Sequence, residues 1–476
     1  MANEVKNVNG VAITNIKNIN AQTDANIKKF NGQEFTGTVD PNFTTAYTDV
    51  EFSGGAIDDD RNGEVVSCYD PDNNFVYVQY SDSGGGGTAV VGAFNSSAND
   101  IDFGAKQAIE GSNAFAGNSC DYDTKYNKVW TTWIGGSGNQ LFCRVGTIAA
   151  DKSIEWGDRI TVQEGYSTHS AYNQGLLGMG ISVDQETGAA LIVWNNPEDS
   201  ISGSSNAASS HHPNGVIVTL DDPTASSGDA DFNDITAGTP ARLFTGNSGN
   251  NFPMVKVMYD PDNEEWVCIS DANSSSGASI QAARVTNNSG TPSPANDTAL
   301  GSNSGHTLQG VEHNATAGVT GRYGANTFCY DSNNDRFIVG SAASSPKLFA
   351  FQNTGSGITW DTTGQAVSCG TQISQSGKGG GVQFNHHRNR IMVWGSDGSD
   401  ITMELLTYGG SGSWTSINSS SLVEIIDDST GFFKGGSPMV KLQQADGTNF
   451  AGSASLLTAL KYSGTDAKYC LFDPGG

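Results

Sequence analysis

In "DDDRNGE", residues 58 to 64, Asp58, Asp60 and Asn62 stand at alternate positions before Gly63, the opening offsets of a calcium loop of EF type. Oxygens at that spacing can converge on one hard cation, and the glycine permits the sharp turn such a loop needs. The twelfth position is Tyr69, so the bidentate carboxylate is missing and a plain acidic turn competes with the metal site. "DADFND" (229 to 234) repeats the spacing without the glycine. "YDPDN" occurs twice, at 69 to 73 and 259 to 263. Its carboxylates could suggest a metal, but proline among Asp and Asn is first of all hairpin-turn chemistry. His211, His212, His306, His313, His386 and His387 fall in turn-like stretches without an HExxH spacing, so zinc is not expected. Nor does the chain carry a GxSxG, a P-loop or a dinucleotide fingerprint. No cofactor is expected, calcium at Asp58, Asp60 and Asn62 being the one candidate.

These residues sit on a repeat. "SCYDPDNNFVYVQY" (67 to 80) returns as "CDYDTKYNKVWTTW" (120 to 133), "ISVDQETGAALIVW" (181 to 194), "VMYDPDNEEWVCIS" (257 to 270), "FCYDSNNDRFIVGS" (328 to 341), "VQFNHHRNRIMVWG" (382 to 395) and, degenerately, "KLQQADGTNFAGSA" (441 to 454). Each copy reads as an apolar strand, a polar turn opened by Asp, Asn or Gln, and a second alternating strand. The turn residues Asp70, Asp123, Asp184, Asp260, Asp331, Asn385 and Gln444 recur at steps of 53 to 76 residues. Such steps hold a four-stranded unit plus loops, which predicts an all-β, seven-bladed β-propeller over residues 43–476. Phe103, Trp156, Trp360 and Trp414, about thirty residues after their turns, mark a further strand. Glycine-rich runs such as "SGGGGT", "GGSGNQ" and "SGKGGG" read as connections between blades. Two stretches, about 198–250 and 272–326, read as long inserted loops, where binding usually resides. Closure of the ring predicts that "FTTAYTDVEFS" (43 to 53) and "KYCLFD" (468 to 473) lie in the same or adjacent blades.

A ring of blades raises the possibility of glycan hydrolysis. The sialidase Asp-box is only hinted at by "NTGSGITW" (353 to 360), which lacks its Ser and Asp. Arginines able to clamp a substrate carboxylate are scattered, so no catalytic residues are assigned and catalysis is not the expected activity. Trp130, Trp133, Trp194 and Trp394 occupy alternating second strands and are expected in the core; Phe232, Phe244 and Tyr323 are freer to meet a ligand.

Ahead of the ring, residues 1–42 form a leader. "KNVNG", "KNINA" and "KKFNG" recur at eleven-residue steps, placing Val8, Ile19 and Phe30 as equivalent apolar pegs. Asn-Gly is a strong hairpin signal, and glycine disfavours the helical alternative. Three pegs on some thirty residues cannot form a core, so the leader is expected to need a partner surface.

The net charge is −26, with 24 Lys and Arg and no basic block, which removes the cationic footprint that nucleic acid requires. No apolar run is long enough to span a membrane, and the N-terminus lacks a secretory pattern. Seven widely spaced cysteines read as free, buried thiols suited to folding in a reducing cytosol.

The leader "VNGVAITNIKNINAQTDANIKKFNGQEFTG" resembles the Asn-Gly-punctuated N-terminal repeats of virion and tail proteins of marine tailed bacteriophages, and the glycine-rich β repeat resembles the domains such proteins carry. The resemblance implies a virion structural protein, tail fibre or adhesin, assembled in the host cytoplasm. It implies docking to other virion proteins through residues 1–37, oligomeric presence in the particle and contact with host surface polysaccharide. The alternative is a secreted or surface glycan-acting propeller.

Overall fold

A computed structural model describes the leader pairs 7–8, 11–12, 18–19, 22–23, 29–30 and 33–34. Beyond them it describes residues 66–81, 86–95, 100–111, 115–135, 140–163, 179–196, 212–244, 255–274, 277–300, 308, 328–341, 347–368, 381–385, 389–396, 400–410, 412–417, 423–427, 439–441, 455–460 and 467–472. Every regular element among these residues is a β-strand, and none is a helix long and apolar enough to cross a membrane.

The strands after the leader form seven antiparallel meanders, each ordered as its strands occur in the chain: the blades of a seven-bladed β-propeller. The first blade runs Val66–Asp70, Phe75–Ser81, Gly87–Asn95 and Asp100–Phe103, the last strand continuing as Gln107–Glu110. The first strands of blades two to six are Phe115–Asp123, Met179–Val183, Val255–Asp260, Phe328–Asp331 and Gly381–Asn385. Each first strand contacts the first strand of the next blade from blade one to blade six. The seventh blade consists of Met439–Lys441, Ser455–Leu460 and Ala467–Phe472, and its first strand touches Val66–Asp70, which closes the ring. "KYCLFD" therefore lies in the blade beside blade one; residues 43–53 and Gln444 lie outside the described residues.

No blade can bury both faces of its sheet alone, and the core accordingly divides by boundary. Trp130, Leu141, Met179, Ile192 and Trp194 belong to the cluster between blades two and three. Equivalent clusters join blades one and two, three and four, four and five, and five and six. Full burial of each large apolar side chain is worth about 1.5–3 kcal/mol, and here each is buried by two blades at once. Trp130, Trp133, Trp194 and Trp394 are all buried, in keeping with their expected core role.

The outer strands carry a second interlock. In blades one to three each outer strand breaks after Phe103, Trp156 or Ala237, at Gly104, Gly157 or Gly238. These glycine N–H groups donate to the carbonyls of Val91, Val145 and Ile217 at 2.8, 2.9 and 2.8 Å, so the break is a hydrogen-bonded bulge. Into each bulge fits the turn between the third and fourth strands of the following blade, at Lys152, Asn233 and Gly290. A Cβ on Gly104, Gly157 or Gly238 would come closer than 3.0 Å to those turns. The turn residues themselves have positive φ, 70°, 62° and 85°. Asn233 also donates from its amide to Glu155 O at 2.8 Å and accepts from Thr147 Oγ1 at 3.0 Å.

Several sequence expectations need correction. Within 198–250, His212–Leu220, Ile235–Ala237 and Ala241–Arg242 are the third and fourth strands of blade three, and the connection over 221–234 is a long turn between them. Likewise 272–326 contains the end of Glu265–Ser274 and all of Gly277–Asn288 and Thr291–Ala299. Exposed Thr219, Thr236, Thr286, Asn287, Asn288 and Pro294 on these strands imitate loop composition, and Pro213, Asn214 and Pro292 do so although buried. "SGGGGT" and "GGSGNQ" fall between the second and third strands of blades one and two, inside blades and not between them.

Candidate binding face and docking segment

The repeated turns are built by one rule. Asp70 Oδ1 accepts the backbone N–H of Asp72 and Asn73 at 3.0 and 3.1 Å, while Oδ2 accepts Asn73 Nδ2 at 2.8 Å. Asp331 repeats the set with Asn333 N, Asn334 N and Asn334 Nδ2 at 3.0, 3.1 and 2.8 Å. Asp123 and Asp184 likewise each accept two turn N–H groups. Four residues after each turn residue the chain enters positive φ, at Asn74, Asn127, Gly188, Glu264, Asp335 and Asn389. All six turn residues from Asp70 to Asn385 are buried. Burial pushes the carboxyls of Asp123, Asp260 and Asp331 up, against the pull of the turn hydrogen bonds. Asp70 and Asp260 of the two "YDPDN" copies are thus engaged in turns, and no group of three or more His, Cys, Asp or Glu gathers as for a metal among the described residues.

Around the axis the turns clasp their neighbours. Thr124 donates from N and Oγ1 to Gln185 Oε1 at 2.8 and 2.7 Å, and Gln185 Nε2 returns a bond to Tyr122 O at 2.9 Å. Tyr330 OH reaches Asp262 Oδ2 at 3.0 Å, and Asn333 Nδ2 meets Asn389 Oδ1 at 3.1 Å. The inner strands are sheet edges whose outward N–H groups need partners, and side chains of the preceding blade supply them. Ile181 N donates to Ser119 Oγ at 3.3 Å, Val183 N to Asp121 Oδ2 at 2.8 Å, and Tyr259 N to Ser182 Oγ at 2.9 Å.

Asp121 is the group in this annulus poised nearest to neutral pH. Burial raises its carboxyl to about 6, although it accepts the N–H groups of Val183 and Tyr122. A folded value above the unfolded 3.8 means that the folded state holds the proton more tightly. This contribution to stability is complete below the unfolded value and is lost as pH rises through about 6. Asp121→Asn is expected to flatten the fall in melting temperature over that interval. Paired thermal melts check it, and parallel wild-type and variant profiles would refute the assignment.

The paired turns of strands one to two and three to four occupy one face of the ring. The opposite ends of the same strands therefore mark a second face. That second face is the candidate binding face. Of the aromatics expected to be free for a ligand, Phe244 is fully buried. Phe232 lies under the Lys128 ammonium, 4.5 Å from ring centroid to nitrogen, and Lys128 Nζ also donates to Thr147 Oγ1 at 2.7 Å. Burial lowers the Lys128 pKa. Phe244 is absorbed by packing that a sequence pattern does not display, Phe232 is half-buried, and Tyr323 lies outside the described residues. In "DADFND", Asp229 Oδ2 accepts Ser226 N at 2.8 Å and Asp234 Oδ1 accepts Asp158 N at 3.3 Å, so this stretch is a blade turn. Asp58, Asp60 and Asn62 lie outside the described residues, as do His211, His306, His313, His386 and His387.

The leader residues Val8, Ile19 and Phe30 take equivalent places. Asn7–Val8 pairs with Val11–Ala12, Asn18–Ile19 with Gln22–Thr23, and Lys29–Phe30 with Gln33–Glu34. In each hairpin the peg is the last residue before a two-residue connection, opposite Val11, Gln22 or Gln33. The connections are Asn9-Gly10, Asn20-Ala21 and Asn31-Gly32, as the turn chemistry of these residues predicts. Two-residue strands have too little pairing to persist on their own.

No family model matches this chain, and none of the curated proteins matches it. Among solved structures, the core factor of S. cerevisiae overlays with a TM-score of 0.52 at 6% identity, covering 92% of this chain and 62% of that one. A putative 6-phosphogluconolactonase from Bacteroides fragilis overlays at 0.47 with 12% identity, over 76% of this chain and 85% of that one. The periplasmic gluconolactonase PpgL of Pseudomonas aeruginosa does so at 0.47 with 12% identity, over 76% and 86%. At such identities the likeness is one of fold.

Proposed function

We propose that this protein is a non-catalytic propeller of a bacteriophage particle, a tail-associated fibre or adhesin. Its leader docks to other virion proteins, and its ring presents a face for host surface polysaccharide. The observation that carries the reading is the leader: three hairpins in one register at one spacing, each too short to persist alone, a design suited to seating on a partner surface. The engagement of the repeated buried carboxylates by turn N–H groups supports a scaffold in place of an acid–base pair on the turn face.

A second reading concerns the opposite face of the same ring. Gluconolactonases share the fold of this chain, and a sugar-acting enzyme is the alternative reading of the ring. A glycan array run beside hydrolysis assays on polysaccharide and gluconolactone separates the two. Binding without turnover supports the adhesin, turnover supports the enzyme, and neither leaves a scaffold. Deleting residues 1–37 is expected to leave a folded ring that no longer joins particles, read by circular dichroism and by incorporation. Unchanged incorporation would overturn the docking role.

A further inference from the structure

Five unpaired cysteines stand among the described residues: Cys68, Cys143, Cys268 and Cys329, buried, and Cys120, half-buried. Two of them share a boundary. Cys68 lies two residues before turn residue Asp70 on the inner strand of blade one, and Cys120 three before Asp123 on that of blade two. The side chain two before a turn residue points to the following blade: Asp121 and Ser182, in that place, accept the N–H groups of Val183 and Tyr259. Alternation along a strand then turns the residue three before toward the preceding blade. Cys68 and Cys120 accordingly face one another between two strands in contact, and both pack in the cluster joining blades one and two. The Cys120 thiol is near enough to add to the burial that raises the Cys68 pKa. Cys143, Cys268 and Cys329 each lie in a different cluster.

We infer that Cys68 and Cys120 are a disulfide-forming pair, a modification site at which oxidation by a low-molecular-weight disulfide staples blade one to blade two. Cys120, the more accessible thiol, gives up its proton and attacks one sulfur of the small disulfide, forming a mixed disulfide and releasing one small thiolate, which takes that proton. Cys68 then attacks Cys120 Sγ, releasing the second small thiolate, which takes the Cys68 proton. Two protein thiols lose two electrons in all, and the small disulfide gains them. The burial that raises the Cys68 pKa makes the second step slow, offset by the proximity of the two sulfurs. The bridge closes a loop of about 50 residues, and over a chain of this size it is expected to raise the melting temperature by about 4 °C.

The test incubates the full chain with oxidised glutathione, blocks remaining thiols by alkylation, and maps unreduced peptides by mass spectrometry. The expected result is a Cys68–Cys120 linked pair ahead of any link among the other five cysteines, with a melting temperature that rises and is returned by dithiothreitol. Cys68→Ala should hold glutathione on Cys120 without resolving it. The wild-type map alone decides the matter if that variant fails to fold. Glutathione persisting on wild-type Cys120, or both thiols still free after the others have reacted, would overturn the pair.

Discussion

Gly238→Ala is expected to destabilise the ring by about 3 kcal/mol or more, a larger effect than most single methyl additions produce. The added Cβ would meet the carbonyl, carbon and Cα of Gly290, all backbone atoms of the neighbouring blade, so no side-chain rotation relieves the clash. Relief requires blades three and four to separate locally, which also loosens the cluster of Leu191, Ile217, Val257 and Trp266 between them. Two controls divide the causes. Gly357 has open space around it and no positive φ, so alanine there should stay within about 0.5 kcal/mol of wild type. Gly228 also has open space but φ +94°, so alanine there reports backbone strain alone. Urea midpoints at an unchanged denaturant slope measure all three. A Gly238→Ala midpoint equal to that of Gly357→Ala would show that the bulge is not a fitted socket.

Asp260→Ala is the second large effect, expected to cost about 4 kcal/mol. Asp260 is fully buried and accepts Asp262 N at 3.1 Å, Asn263 Nδ2 at 2.9 Å and, from the following blade, Asn353 Nδ2 at 2.7 Å. Alanine takes this acceptor from Asp262 N and Asn353 Nδ2, while Asn263 Nδ2 keeps Asn353 O at 3.1 Å, and Asn353 has almost no access to water. Asp260→Asn should cost about half as much, because it keeps one carbonyl oxygen while setting an amide against two amide donors. Blade six already carries Asn385, buried, at this place. If Asp260→Ala and Asp260→Asn lose equal stability, the cost lies in the charge and not in the hydrogen-bond geometry.

The repeat is legible in the sequence because its turn demands particular residues. A side chain able to take two N–H groups must open it, and a residue tolerant of positive φ must close it four places on. Asp70 with Asn74, Asp123 with Asn127 and Asp184 with Gly188 satisfy both conditions, so the blades can be counted from residue types alone. The outer strands are only half legible. Phe103 and Trp156 mark their first halves, but Gln107–Glu110 and Ile160–Gln163 resume after bulges opened by Gly104 and Gly157, which strand alternation alone does not announce. Blade three reads wrongly because Ser, Asp and Pro in "LDDPTASSGDADFNDITAGTP" signal a loop, whereas the segment is a long turn whose Asn233 plugs the preceding blade. The leader hairpins are readable from Asn-Gly alone. The facing of Cys68 and Cys120 is not, since their meeting depends on which way each inner strand turns its side chains.

The bulge-and-turn fit gives the circle a direction. Each of the first three blades carries the socket, and its successor brings the plug, so a blade cannot be exchanged for its neighbour by matching sheets alone. Anyone grafting or duplicating one of these modules should cut within a fourth strand, after its opening turn and before its glycine bulge, keeping every socket with the turn that fills it. A cut between consecutive meanders would preserve each sheet and still spoil both seams.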